Sequence, residues 1–253
     1  MPTAARAIAA ILLVLTSAAG LAAGEPSPVQ GGLAIPWAGI AVPDALWPAW
    51  LALLLVGCLA CFAWAMRTFF TKPTGAAHGM TVIKVCGTLF AVVHLVAYAT
   101  ASGIQAVAAI AATIIYLGAL GLFWWAIAAN RVAPLSAAFS SDLPERLVQH
   151  GPYRFVRHPF YASYLLVWSA CPIVFGGWWL WSTLAAMVVI YHVAAKTEER
   201  KFAGSRHVAA YDRYRSATGM FMPNPFKIAA TALSRALARR AAQRYAGSSE
   251  AAA

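Results

Sequence analysis

The chain has 253 residues, of which 61% are hydrophobic and only 11% are charged, and its net charge at pH 7 is +11. This share of apolar residues exceeds what a soluble domain of this length needs, so the composition indicates an integral membrane protein. In such a protein the positive charge is explained by orientation. We therefore expect the lipid bilayer as a partner and no nucleic acid, while the oligomeric state stays open.

Five apolar segments follow one another along the chain, each long enough to cross a bilayer at roughly 20 residues per helix. We therefore predict an all-α integral membrane fold with a five-helix transmembrane core. Only Gly176-Gly177 separates the last two segments, so these form a C-terminal helical hairpin. The segments cover residues 46–66, 81–101, 104–128, 159–176 and 178–196.

The chain divides into four parts around this core. Residues 1–24 combine Arg6, an apolar stretch and small residues, a pattern that fits either a signal peptide or an extra N-terminal transmembrane segment. Residues 25–45 are rich in Pro and Gly, which is typical of an outer linker. Residues 46–226 form the membrane domain. Residues 227–253 alternate Ala and Leu with Arg, which favours either a basic amphipathic helix or a disordered cytoplasmic tail.

The distribution of positive charge predicts the orientation. All 19 Lys and Arg residues fall on one side of an alternating path through the five segments. The loops on the other side, near residues 24–45, 101–103 and 176–178, carry none. By the positive-inside rule, residues 129–158 and 196–253 lie in the cytoplasm. We expect the protein in the bacterial inner membrane, with its C-terminus and its active site facing the cytoplasm.

The most informative motif is G-P-Y-R-F-V-R-H-P-F-Y at residues 151–161, where the fourth segment begins. Pro159 suits the first turn of a helix, since its missing N–H costs nothing there. His158 then lies near the N-cap, where free backbone N–H groups and the helix dipole favour an anion. Tyr161 follows three residues later on the same helix face.

A second motif, Glu198-Glu199, ends the fifth segment. Because the hairpin is tight, Glu198 is expected beside His158 despite the 40 residues between them. Charged groups at the mouth of a membrane hairpin are costly to desolvate, so they indicate a polar-ligand site. A ligand between the two motifs would be anionic at one end and cationic or hydroxyl-rich at the other. S-adenosylmethionine has that character, and aromatic faces stabilise a sulfonium by cation–π attraction.

No Cys/His cluster has the spacing of a zinc site, so no metal is expected. Cys58 and Cys61 form a C-x-x-C, but they lie in the middle of an apolar segment, which favours buried thiols.

The combined pattern resembles the isoprenylcysteine carboxyl methyltransferase family, with its bacterial and archaeal relatives, and the related phospholipid methyltransferases. The resemblance covers about residues 140–226. It implies a membrane methyltransferase domain at residues 46–226, with an S-adenosylmethionine pocket at the cytoplasmic end. The matching parts are G-P-Y at 151–153, R-H-P-F-Y at 157–161, Glu198-Glu199, Tyr211, Tyr214 and Met222-Pro223.

The resemblance also implies particular residue roles. Arg157 and Glu199 are expected to support the alignment of donor and acceptor, and no residue is expected to be catalytic in a stricter sense. Lys196 is the candidate substrate contact, because eukaryotic members place an arginine near the position of Ala195. Where the family usually has Gly, this chain has Ser163. The implied cofactor contacts are Glu145, Arg146, Leu147, Val148, Tyr153, Arg157, His158, Pro159, Phe160, Tyr161, Glu198 and Glu199.

We therefore predict an integral-membrane methyltransferase that uses S-adenosylmethionine and acts on an amphiphilic or small acceptor. Two alternatives stay open. One is a sterol-reductase-like enzyme that uses NADPH, since that class has a similar H-P-x-Y helix start, although the carboxylate pair opposes the phosphates of NADPH. The other is a non-catalytic membrane scaffold of the same fold. The sequence leaves open whether the acceptor is a carboxylate, a thiol or an amine.

Overall fold

The structure is a computed structural model that describes residues 43–71, 78–130, 135–136, 147–205 and 207–226. The predictions for residues 1–24, for the linker up to residue 42 and for the tail at 227–253 concern residues outside this description. The described chain is an all-α membrane fold, as predicted.

Six α-helices make up the described fold, with short elements between them. The helices are α1 Trp47–Thr68, α2 His78–Thr100, α3 Ala106–Ala129, α4 Pro159–Phe175, α5 Trp178–Ala203 and α6 Val208–Ala217. Two 3₁₀ turns cover Asp44–Leu46 and Gly151–Arg154. The segments that follow α1 and α3 pair in parallel over two residues each, β1 Phe70–Thr71 and β2 Leu135–Ser136.

Four of the described helices, α1, α2, α3 and α5, are long and apolar enough to cross a membrane. Helix α4 is apolar but has only 17 residues. At 1.5 Å per residue it is about 25 Å long, which is less than the roughly 30 Å of a bilayer's hydrocarbon core. Near its start, Phe160 packs against Phe123, which lies well before the end of α3. Helix α4 therefore begins inside the bundle and not at its edge.

Helix α3 forms the centre of the core. Its buried residues recur every three or four positions, so they lie on one face of the helix. Several are alanines, which allow a neighbouring helix to approach closely, and the most extensive helix contact is that between α3 and α4. The buried residues of this face are Ala109, Ala112, Tyr116, Ala119, Phe123 and Ala126.

Helices α4 and α5 form the predicted hairpin. Gly176 ends α4 with a φ of 78°, a conformation that favours glycine. Helix α5 continues beyond the predicted end at residue 196 to Ala203. The fall in hydropathy does not end the helix, because the charged residues pair along it: Lys196 Nζ lies 3.6 Å from Glu199 Oε2, one turn later. The carboxylate pair therefore lies on a regular helix and not in a loop.

After α6 the chain crosses the start of α4. Val156 and Gly219 form a parallel bridge. The amides of Arg157 and His158 donate to the carbonyl oxygens of Gly219 and Met220, at 2.9 and 3.1 Å. We call residues 218–222 the strap, because they bind across the residues that lead into α4.

Candidate functional site

The two glutamates on α5 reach the start of α4 because of the way side chains leave a helix. Each Cα–Cβ bond tilts towards the helix N-terminus, so the side chains of Glu198 and Glu199 point back along α5 towards the level of His158. Glu198 Oε2 lies 3.5 Å from His158 Nδ1, and Glu199 Oε1 lies 3.4 Å from His158 Nε2. The predicted proximity of Glu198 and His158 is confirmed.

Arg157 and Glu199 form a buried ion pair. Arg157 Nε donates to Glu199 Oε1 at 2.8 Å, and the two side chains are only 8% and 5% exposed. The same guanidinium donates through one terminal nitrogen to the carbonyl oxygens of Thr218, at 2.6 Å, and Arg215, at 3.3 Å. Arg157 therefore joins α5, the end of α6 and the strap, and its charge is already matched within the protein.

The second glutamate binds a phenol. The Tyr161 hydroxyl donates to Glu198 Oε1 at 2.5 Å. Tyr161 is buried, whereas the Glu198 side chain is 29% exposed. Because Glu198 is partly exposed, its carboxylate remains accessible to a ligand at the edge of the site.

His158 is the N-cap residue of α4 and lies between the two carboxylates. Burial alone would lower its pKa, but hydrogen bonds to Glu198 and Glu199 and the charges of both glutamates outweigh this, so the pKa of His158 is raised. The imidazolium form of His158 therefore persists to a higher pH than that of an ordinary histidine. It places a positive charge at the start of α4, where the helix dipole already favours an anion.

Aromatic rings surround the charged cluster that Arg157, His158, Glu198 and Glu199 form. Tyr161 stacks on His158 at 5.7 Å between ring centroids and on Tyr191 of α5 at 5.3 Å. Phe221 of the strap stands edge-on to Tyr161 at 6.3 Å. Tyr191 and Phe221 were not predicted as site residues from the sequence. Tyr191 had a usable signal, because it precedes Glu198 by two helical turns and so shares its face of α5.

Two buried polar atoms in this region have no hydrogen-bond partner among the described residues: Glu199 Oε2 and the hydroxyl oxygen of Tyr211. Burial, followed by the charge of Glu199, raises the pKa of Tyr211, so the two groups are close. Leaving a buried acceptor unpaired costs free energy. Glu199 Oε2 lies 3.6 Å from Lys196 Nζ but accepts no hydrogen bond, so it is suited to an ammonium or hydroxyl group of a ligand.

Tyr153 is held from two sides. Asn130 Nδ2 donates to the Tyr153 hydroxyl at 2.9 Å, and the Tyr214 hydroxyl donates to the Tyr153 carbonyl oxygen at 2.7 Å. Asn130 caps the end of α3 and was not predicted as a site residue. No sequence signal connects Asn130 with Tyr153, because they lie on different elements.

The remaining predicted cofactor contacts lie at different places around the charged cluster. Leu147 and Val148 are half-buried just before the 3₁₀ turn, whereas Glu145 and Arg146 lie outside the described residues. Pro159 is buried in the first turn of α4, as predicted. Phe160 packs on Phe70 and Phe123, both at 5.3 Å, and so belongs to the apolar core.

The two departures from the family pattern have clear structural settings. Ser163 is fully buried, and its hydroxyl donates to the Phe160 carbonyl oxygen at 2.7 Å, so the helix itself satisfies this polar group. Ala195 is also fully buried, and a long side chain there would require repacking. The half-buried Lys196 beside it forms an ion pair with Glu199.

Two further observations concern metal ligands and the surface beside the site. No group of His, Cys, Asp or Glu in the described part of the chain is arranged to hold a metal ion. A depression of about 430 Å³ lies beside the cluster, and it is lined by Arg157, Asp212, Arg215 and Ser216.

Comparison with known families agrees with this geometry. The family model of phospholipid methyltransferases matches residues 106–205, which include α3, α4, nearly all of α5 and both charged motifs. No curated protein matches the chain. The match suggests a membrane methyltransferase and confirms the resemblance drawn from the motifs. Residues 106–205 of this chain are thus similar to the phospholipid methyltransferases, which are membrane methyltransferases related to the isoprenylcysteine carboxyl methyltransferases.

Proposed function

We propose that this protein transfers a methyl group from S-adenosylmethionine to an amphiphilic or small acceptor at the membrane. The observation that carries the proposal is Glu199, a buried carboxylate with one oxygen bound to Arg157 and the other 3.6 Å from Lys196 Nζ but without a hydrogen bond. The family match to residues 106–205 supports the reaction class. The identity of the cofactor and the class of the acceptor are part of our proposal.

The residues of the cluster fit the groups that this cofactor carries. Glu199 Oε2 would accept from its ammonium or a ribose hydroxyl. The imidazolium form of His158 and the start of α4 would attract its carboxylate. The faces of the Tyr161 and Phe221 rings would stabilise a sulfonium placed over them. NADPH fits less well, because Glu198 and Glu199 would repel its phosphates.

When bound, the cofactor supplies a methyl group that is already activated for in-line displacement. The protein's own contribution is then mainly alignment and the exclusion of water. Arg157 fixes Glu199 and the strap, while Tyr161 fixes Glu198. Phe221 covers His158 and Tyr161 from the strap side, which limits access of water to the cluster.

The acceptor requires little further chemistry from the protein. A carboxylate or a thiolate needs no general base, and an amine needs only to lose a proton before attack. Helix α4 begins inside the bundle, so an amphiphile in the adjoining leaflet can bring its polar group to the depth of His158. We place this end of the bundle in the cytoplasm and the protein in the bacterial inner membrane, because positive charge is concentrated here.

Calorimetry with purified protein in detergent tests the cofactor assignment. S-adenosylhomocysteine should bind the wild type, and both His158→Ala and Glu199→Gln should weaken that binding at least about tenfold, because each removes a charged contact. His150→Ala is the matched control, since His150 is exposed and lies outside the cluster. Binding of NADPH in place of S-adenosylhomocysteine would favour the reductase-like alternative. Unchanged binding in both site variants would refute the site.

A further inference from the structure

Asn130 controls the hydrogen bonding of Tyr153. Asn130 Nδ2 donates to the Ala126 carbonyl oxygen at 2.7 Å and to the Tyr153 hydroxyl at 2.9 Å. A carbonyl oxygen can only accept, so this bond fixes which end of the amide faces Tyr153. The phenol oxygen therefore accepts from Asn130. Within the described part of the chain, the Tyr153 hydroxyl makes no hydrogen bond other than the one that it accepts from Asn130, so its own hydrogen can be donated to a ligand.

The local fold is shaped to bring these two side chains together. Gly151 opens the 3₁₀ turn with a φ of 61°, and a Cβ there would lie 2.9 Å from the Ala129 Cβ. Only glycine lets the turn approach the end of α3 so closely. Tyr214 holds the same turn from the other side through the Tyr153 carbonyl oxygen, at 2.7 Å. Position, backbone and side chain of Tyr153 are thus all fixed.

The turn that carries Tyr153 leads directly to Arg157 and His158, and the Tyr214 hydroxyl that binds the Tyr153 carbonyl oxygen also lies 3.5 Å from the Val156 carbonyl oxygen. Burial raises the pKa of Tyr153, the bond from Asn130 opposes this rise, and the charge of Glu198 adds to it. The hydroxyl therefore stays protonated and can act as a donor. A second carboxylate would be repelled there, so the ligand atom that suits this donor is a neutral acceptor, such as a ring nitrogen or a ribose oxygen.

We propose that Asn130 is a positioning residue, which directs the Tyr153 O–H to a neutral acceptor in the adenosine part of bound S-adenosylmethionine. This inference rests on the proposed function. Asn130 does not touch the cofactor in this account. It acts through Tyr153, and its effect should disappear when the Tyr153 hydroxyl is absent.

A double-mutant cycle tests the proposal, with S-adenosylhomocysteine as the calorimetric probe. Asn130→Asp replaces the donor with a carboxylate that only accepts, so the phenol turns its O–H to the new side chain. Tyr153→Phe removes the O–H. Each variant should weaken binding about two- to tenfold, the range for one neutral hydrogen bond. The double variant should bind no more weakly than Tyr153→Phe alone. Gln149→Glu, the same amide-to-acid change at an exposed residue, is the control for added charge.

A second measurement separates positioning from a structural role. In membranes that supply the acceptor, Asn130→Asp should raise KM for S-adenosylmethionine and leave kcat unchanged, whereas partial unfolding would lower the apparent kcat. If Asn130→Asp does not fold, Asn130→Ala takes its place in the same cycle. The inference would be overturned if the affinity losses of the two single variants multiplied in the double variant. It would also be overturned if the Asn130 variant bound S-adenosylhomocysteine as tightly as the wild type. Failure of the wild type to bind the probe would instead refute the proposed function.

Discussion

Arg157 binds Glu199 through Nε at 2.8 Å, and this pair ties the residues before α4 to the end of α5. Because the same guanidinium also binds the Thr218 carbonyl oxygen at 2.6 Å, one side chain fixes both the carboxylate and the strap. The pair is therefore a positioning device around which the remaining polar groups of the site are arranged.

Removing Arg157 should destabilise the protein strongly. Arg157→Ala leaves the Glu199 carboxylate buried without its partner, which typically costs about 3–5 kcal/mol. Unfolding in mixed micelles measures this loss. Arg213→Ala, at an exposed position of α6, is the control and should stay within about 0.5 kcal/mol of the wild type. Equal stability of the two variants would contradict a structural role for the pair.

Gly219 should not tolerate alanine. A Cβ at this position would overlap the carbonyl oxygen of Met222, so the strap backbone must shift. We expect Gly219→Ala to cost about 1–3 kcal/mol and to weaken S-adenosylhomocysteine binding, because Phe221 moves with the strap. Gly204→Ala is the matched control, since the nearest atom to its Cβ is 3.9 Å away. A variant that binds and melts like the wild type would show that the strap is not closely fitted.

Stability should depend on pH through His158. Its folded pKa is raised above the ordinary value of 6.5. Protonated His158 therefore stabilises the folded protein fully below the pKa that this histidine has in the unfolded chain. This stabilisation is lost as pH rises through its pKa in the folded protein. Between about pH 6 and pH 9 the melting temperature of the wild type should fall more than that of His158→Gln. Parallel melting curves for the two proteins would contradict a charged His158 in the folded state.

The hydroxyl of Tyr161 should matter more than its ring. Tyr161→Phe keeps the stacking on Tyr191 but removes the bond to Glu198, and a hydrogen bond to a charged group contributes about 1.5–3 kcal/mol. We expect a loss of S-adenosylhomocysteine affinity of at least about tenfold with the fold retained. Tyr164→Phe is the control, because its hydroxyl makes only a 3.9 Å contact with the Met66 sulfur. Equal losses in both variants would argue against a specific role for Glu198.

Much of this site is predictable from the sequence, because the rules that build it are local. Pro159 predicts a helix start with His158 at its cap, and the short turn at Gly176 predicts an antiparallel hairpin. Together they bring Glu198 to His158, as the structure confirms. The periodicity of α5 would also have identified Tyr191.

Other features depend on contacts that no local pattern encodes. The family resemblance implies Arg157 as a cofactor contact, yet its guanidinium binds Glu199 and the carbonyl oxygens of Arg215 and Thr218. Backbone carbonyls are the same in every residue, so such partners have no signature. The end of α5 was missed for a related reason: hydropathy marks where a membrane span loses its apolar character, whereas pairing such as that of Lys196 with Glu199 extends the helix beyond that point.

Methyl transfer itself tests the central claim most directly. Membranes containing the wild type are incubated with S-adenosylmethionine labelled in its methyl group and a panel of prenylcysteines, lipids and small thiols. We predict that label appears in a chloroform-soluble product or a thioether with the wild type and is lost with Glu199→Gln, while His150→Ala retains it. No transfer to any acceptor by a wild type that binds S-adenosylhomocysteine would contradict the enzyme and favour a scaffold.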